Sequence, residues 1–148
     1  MENNSLEIFN KSPLIGLIHN ISKNQIKYLN SRISDMNLGR ELRYVMMVYD
    51  NPNCSQDDLV CLYGESKANI AKALKKLESE EYIKRDVNPD NRRKYMLKTT
   101  PKADELVPKI RQISLDWEHE VGISDDDYKI KERLREIAIN SMDLIDDL

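Results

Sequence analysis

"SQDDLVCLYGESKANIAKALKKLESEEYIKRDVNPDNRRKYMLKTTPKA", residues 55–103, decides the fold of this chain. Ser55 with Asp58 three residues on is a capping-box-like start for a short helix over "QDDLVCLY", which stops at Gly64. A second helix starts at Ser66 and runs through "KANIAKALKKLESEE", with Ile70, Ala73, Leu74 and Leu77 along one face. From Tyr82 to Val87 the residues alternate, Ile83, Arg85 and Val87 against Tyr82, Lys84 and Asp86, as in a strand. "NPDN" at 88–91 is a turn, because Pro89 pre-sets its backbone angle, and residues 93–98 return as a second strand. Short helix, Gly turn, helix and hairpin, in that order, make a winged helix-turn-helix.

Upstream, Leu14, Ile18, Ile21, Gln25, Leu29, Ile33 and Met36 step by four and three. That spacing predicts a long amphipathic helix, with Ser12-Pro13 supplying its cap and first-turn proline. Leu38, Leu42, Val45 and Tyr49 predict a shorter helix closed by "DNPN" at 50–53. Downstream, Thr100-Pro101 starts a helix whose seam is Ala103, Leu106, Ile110, Ile113, Trp117 and Val121. Pro108 falls inside it and should bend it or delay its start. Ser124 caps a last helix with Ile130, Leu134, Ile137, Ser141, Leu144 and Leu148 on one seam. The fold class is therefore mainly α with a small β-hairpin wing. The chain reads as one domain, 1–148, in which 37–99 form the winged helix-turn-helix and 12–36 and 100–148 the helical dimerisation region. One small winged domain cannot cover the apolar seams of both end helices, so a second copy of the chain is expected to.

Charge is unevenly placed. The 148 residues carry a net −3 and a pI near 5.5, yet residues 67–98 hold ten cations against five acids. A basic island in an acidic chain suggests one surface that meets a polyanion. On a helical wheel, Ala68, Lys72, Lys75 and Ser79 lie opposite the apolar face, flanked by Asn69, Ala71 and Lys76. Small residues let such a helix approach a major groove while lysines meet phosphates. Asn69 can pair with an adenine edge and Ala68 can touch a thymine methyl. Arg92, Arg93 and Lys94 stand at the tip and return strand of the adjoining hairpin, from which an arginine can reach a minor groove.

With these residues in view, the chain resembles the multiple-antibiotic-resistance regulator (MarR) family of winged-helix transcription factors. The likeness rests on "SQDDLVCLYGESKANIAKALKKLESEEYIKR" followed by "NPDNRRKYMLKTTPKA". The family's wing pattern is Asp-x-Arg, five residues, then Leu-Thr. Counted back from Thr99-Thr100 it places Asn91 at the Asp and Arg93 at the Arg; Asp90 and Arg92 offer the same pair one residue earlier. The resemblance implies that Arg93, or Arg92 in the shifted register, enters a minor groove. It also implies that Ser66, Lys67, Asn69 and Lys72 contact DNA from the recognition helix. It further implies a homodimer and a small-molecule effector in the crevice between the dimer helices and the winged domain.

Other function classes find little support. The sequence has no phosphate loop, nucleophile elbow or His-Glu-x-x-His, so no catalytic residue, metal ligand or cofactor is assigned and an enzyme is not expected. His19 and His119 fall on outward positions of separate helices. In "WEHE" at 117–120, successive residues diverge by about 100° and cannot all bind one metal. Cys54 and Cys61 make no disulfide framework; neither has an obvious low-pKa setting, although Cys54 stands just before a helix start, which favours a thiolate. With no run of ~18 apolar residues and no secretion signal, the expected location is the cytoplasm, away from membranes. The reading is a homodimeric DNA-binding transcriptional regulator. It acts as a repressor on double-stranded DNA with a pseudo-palindromic operator and is released by a small molecule. The alternative is a winged-helix protein-interaction module without sequence-specific DNA binding.

Overall fold

Proline decides where the first helix begins. In the structure, a computed structural model that describes residues 9–33, 38–92 and 94–146, Pro13 rather than Ser12 takes the cap position of helix α1 (Leu14–Arg32). Its extended backbone (φ −63°, ψ 157°) leaves Leu14 as the first helical residue, and no side-chain hydrogen bond caps the end. The helix also stops before the expected residue 36, because Ile33 turns extended (φ −123°, ψ 100°). Met36 lies outside the described residues. Helix α2 (Leu42–Asp50) follows, and Asn53, at φ 73°, turns the chain after it.

Helix α3 (Gln56–Tyr63) has the full capping box. Asp58 N donates to Ser55 Oγ at 3.3 Å, and Ser55 N donates to the Asp58 carboxylate at 2.7 Å. Gly64, left-handed at φ 61°, ends the helix as a residue without a Cβ can do at little cost. Helix α4 (Lys67–Ser79) begins three residues later, with Ser66 Oγ accepting from Asn69 N at 3.2 Å. Its far end is unusual. Glu81 adopts φ 60° without being glycine, while Tyr82 N reaches back to Leu77 O at 2.9 Å. Three bonds from downstream residues fasten that end: Thr100 Oγ1 donates to Glu81 O, Thr100 N to Tyr82 O, and Lys102 Nζ to Glu80 O.

Strands β1 (Ile83–Val87) and β2 (Tyr95–Thr99) pair antiparallel in the register Ile83↔Thr99, Arg85↔Leu97 and Val87↔Tyr95. The return strand thus starts at Tyr95 instead of residue 93. Lys94 N donates to Asn91 O and Asn88 N to Lys94 O, so Asn88, Asn91 and Lys94 are used up in closing the turn. The other edge of β2 is also held. Asn53 N donates to Leu97 O at 2.9 Å and Leu97 N to Cys54 O at 2.8 Å, while the Leu97 side chain is 1% exposed.

Helix α5 (Pro101–Glu120) begins at Pro101 and runs through Pro108 with no delayed start. Its buried residues are Ala103, Val107 and Ile110; Val107 was absent from the expected seam. A 3₁₀ turn (Asp125–Asp127), boxed by Ser124 and Asp127, precedes helix α6 (Tyr128–Asp146). Two compact units result, one closing at Ser114 and the other opening at Leu115. The first holds the core: Leu38, Val45, Val48, Leu59, Ile70, Leu74, Leu77, Ile83, Leu97 and Val107 are essentially sealed from solvent. In the second, Ile130, Leu134, Ile139, Leu144 and Ile145 of α6 all remain exposed. Among the described residues no helix is long and apolar enough to cross a membrane.

Leu74 faces this core from the middle of α4 and is fully buried. Leu74→Ala should lower unfolding free energy by about 2–5 kcal/mol in urea titrations, the usual cost of an unfilled core cavity.

Candidate nucleic-acid interface

The outward face of α4 is set by the inward one. Burial of Ile70, Leu74 and Leu77 turns Ala68, Asn69, Lys72, Lys75 and Ser79 to solvent, as the wheel requires. Ser66 is also exposed, but its hydroxyl is engaged in capping the helix. Lys72 and Lys75 make no ion pair with the described residues and stand ready for a polyanion. Lys76 is different. It turns back to Glu41 at 3.1 Å and is half-buried. Burial pushes the Glu41 carboxyl up, but its backbone hydrogen bonds and Lys76 outweigh this and hold it below the ordinary value.

Of the three wing cations, Arg92 is exposed in the loop, Lys94 sits just before β2, and Arg93 lies outside the described residues. Lys94 and Lys67 come together through an acid that the sequence reading had not singled out. Asp57 Oδ1 lies 3.2 Å from Lys67 Nζ, and Asp57 Oδ2 lies 3.3 Å from Lys94 Nζ. Hydrogen bonds from Lys67 and then Lys94 hold the Asp57 carboxyl below its ordinary range. The hairpin has its own pairs: Lys98 to Asp86 at 2.8 Å, and Arg85 to Glu78 at 3.2 Å, the latter without hydrogen-bond geometry. Sequence spacing carried no signal for Asp57, since 37 positions separate it from Lys94; "SQDD" announces only the cap.

Behind the face stands a second unforeseen group. The Arg43 guanidinium lies 4.9 Å from the Tyr44 ring and 4.8 Å from the Tyr63 ring, and it pairs with Glu65. Tyr63 Oη donates to Arg43 O at 3.1 Å, and the two rings meet edge-on at 5.2 Å. Glu65 immediately precedes the Ser66 cap, so this cluster ties α2 to the start of α4. It also borders a cavity of about 1020 Å³ between α1 and α2, whose lining includes His19, Lys23, Met46, Tyr63 and Glu65.

Cys54 does not have the thiolate-favouring setting that its place before α3 suggested. It is half-buried, and burial together with the nearby Asp58 charge pushes its thiol up. Among the described residues no group of three metal-ligating side chains converges.

Residues 40–95 match the family model described as "MarR family". Over 93% of this chain and 97% of the other, the fold superposes on a crystal structure of MarR with a TM-score of 0.80 and 25% identity. The chain is similar to MarR-family transcriptional regulators, in sequence over residues 40–95 and in fold over nearly its whole length. Among curated relatives, it is 26% identical over 124 residues to the HTH-type transcriptional regulator BilQ of Clostridioides difficile (strain CD3), covering 83% of this chain and 84% of that one. It also shares its fold (TM-score 0.75, 20% identity, 89% and 91% coverage) with a putative MarR family transcriptional regulator from Listeria monocytogenes, crystallised with a 26mer DNA. Both of these proteins are described as transcriptional regulators.

The Arg43 cluster gives a direct prediction for this winged helix. Arg43→Ala removes two cation–π contacts and an ion pair and should cost about 1–2 kcal/mol in thermal or urea unfolding. Arg43→Lys should recover part of that loss, since the stacking of a planar guanidinium is not replaced.

Proposed function

We propose that this chain is a homodimeric DNA-binding repressor that recognises a pseudo-palindromic operator and is released by a small-molecule effector. The single observation behind the DNA reading is the solvent face of α4. Ala68 and Asn69 are small and exposed at its first turns, Lys72 and Lys75 beside them make no ion pair among the described residues, and Lys94 of the wing is gathered to Lys67. Such a face enters a major groove with Asn69 toward a base edge, Ala68 toward a thymine methyl and the lysines toward phosphates. Arg92 and Arg93 extend the contact to the minor groove. The Listeria regulator of like fold, crystallised with DNA, supports the same reading.

Dimerisation is supported by what α6 leaves uncovered: Ile130, Leu134 and Leu144 keep their seam in solvent. Two copies would present recognition helices to half-sites about one turn, roughly 10 base pairs, apart. The cavity between α1 and α2 is large enough for a small effector, and it borders Glu65 at the root of α4.

Retardation of the duplex upstream of the chain's own gene, followed across salt, tests the proposal. With six to ten phosphates neutralised, affinity should fall by roughly 10³- to 10⁵-fold between 50 and 200 mM salt. Lys72→Ala should weaken binding about threefold to tenfold and reduce the salt slope by about one. The absence of a retarded band at 50 mM salt would favour a protein-binding winged helix. Light scattering should give twice the chain mass of 17.3 kDa, and Leu144→Asp should shift it toward one chain.

A further inference from the structure

Asp57 holds a place that a DNA phosphate would be expected to fill. Its two oxygens take one lysine from the recognition helix and one from the wing, at 3.2 and 3.3 Å. Both lysines belong to the surface assigned above to DNA. The helix does not need this acid for its start, because the capping box is made by Ser55 and Asp58. Beside the carboxylate is a cavity of about 200 Å³ lined in part by Gln56, Arg85 and Lys94, which leaves room for an anion next to Lys94.

We propose that Asp57 is an internal phosphate mimic: in the free protein it occupies Lys67 and Lys94, and a backbone phosphate must displace it when DNA docks. The inference rests on the DNA-binding reading. Its two lysine pairs must loosen before those cations engage DNA. Asp57 thereby sets how tightly any duplex is held, whatever its sequence. Exposed pairs of this kind are modest, so the effect is one of tuning.

The test measures the affinity of the full chain for a mixed-sequence 26-base-pair duplex at 50, 100 and 200 mM salt. Wild type is compared with Asp57→Asn and with Asp57→Ser, a second neutral variant suited to a first helical turn. Melting curves report whether each variant is folded. Both variants should bind about threefold to tenfold more tightly at 50 mM, and the gain should shrink as salt screens the internal pairs. In a Lys67→Ala/Lys94→Ala background the gain should disappear, since the cations that Asp57 occupies are gone. Folded variants that bind no more tightly than wild type, or more weakly, would overturn the proposal and make Asp57 a brace for the wing. A gain that persists without the two lysines would overturn it as well. If neither wild type nor variants bind at 50 mM, the DNA reading fails, and this inference with it.

Discussion

The backbone of Leu97 is bonded on the side of β2 away from β1, to Asn53 and Cys54, while its side chain enters the core. That arrangement determines where the wing can be. A two-stranded hairpin alone is marginal in water, and its tip would sample many directions. Here the return strand is pinned between β1 and the segment entering α3. The wing therefore takes its direction from the same core that orients α4. The Asp57 contacts depend on this placement, because Lys94 is only three residues before Leu97.

Electrostatics then divides the basic island into parts with different roles. Lys76, Arg85 and Lys98 are occupied by Glu41, Glu78 and Asp86. Lys72 and Lys75 make no ion pair among the described residues, and Lys67 and Lys94 share one acid. A count of positive charge along the sequence treats all of these alike. The cations not taken up by Glu41, Glu78 or Asp86 form a narrower set than the island, along the outer side of one helix and at the base of one hairpin.

How much of this was legible in the sequence follows from the range of each interaction. The Ser55–Asp58 box, the Gly64 stop and the inward face of α4 depend on residues within a turn or two, and each was readable. The start of α1 was misplaced because Ser12 and Pro13 both carry N-terminal signals and the wrong one was chosen as the cap. The return strand was set two residues early, since the Asn88 and Asn91 bonds that consume Lys94 have no counterpart in strand alternation. Val107 escaped because four-three stepping through Leu106 looked equally regular. Asn53 with Leu97, Asp57 with Lys94 and Arg43 with Tyr63 are pairs across the fold, and no spacing rule joins them. For Cys54, proximity to a helix start is visible in sequence, whereas burial beside Asp58, which raises the thiol, is not.

Thr100 and Lys102 hold the closing carbonyls of α4 from the first residues of α5, and the Lys102 ammonium lies 4.2 Å from the Tyr82 ring. The opening end of α4 is held instead by side chains reaching in from α2 and α3. The closing end adds a backbone-to-backbone bond, Thr100 N to Tyr82 O, that the opening end does not have among the described residues. Any tilt of α4 would therefore swing like a door hung at Glu80–Tyr82. The widest arc would fall at Lys67 to Asn69, where small angular changes become the largest displacements.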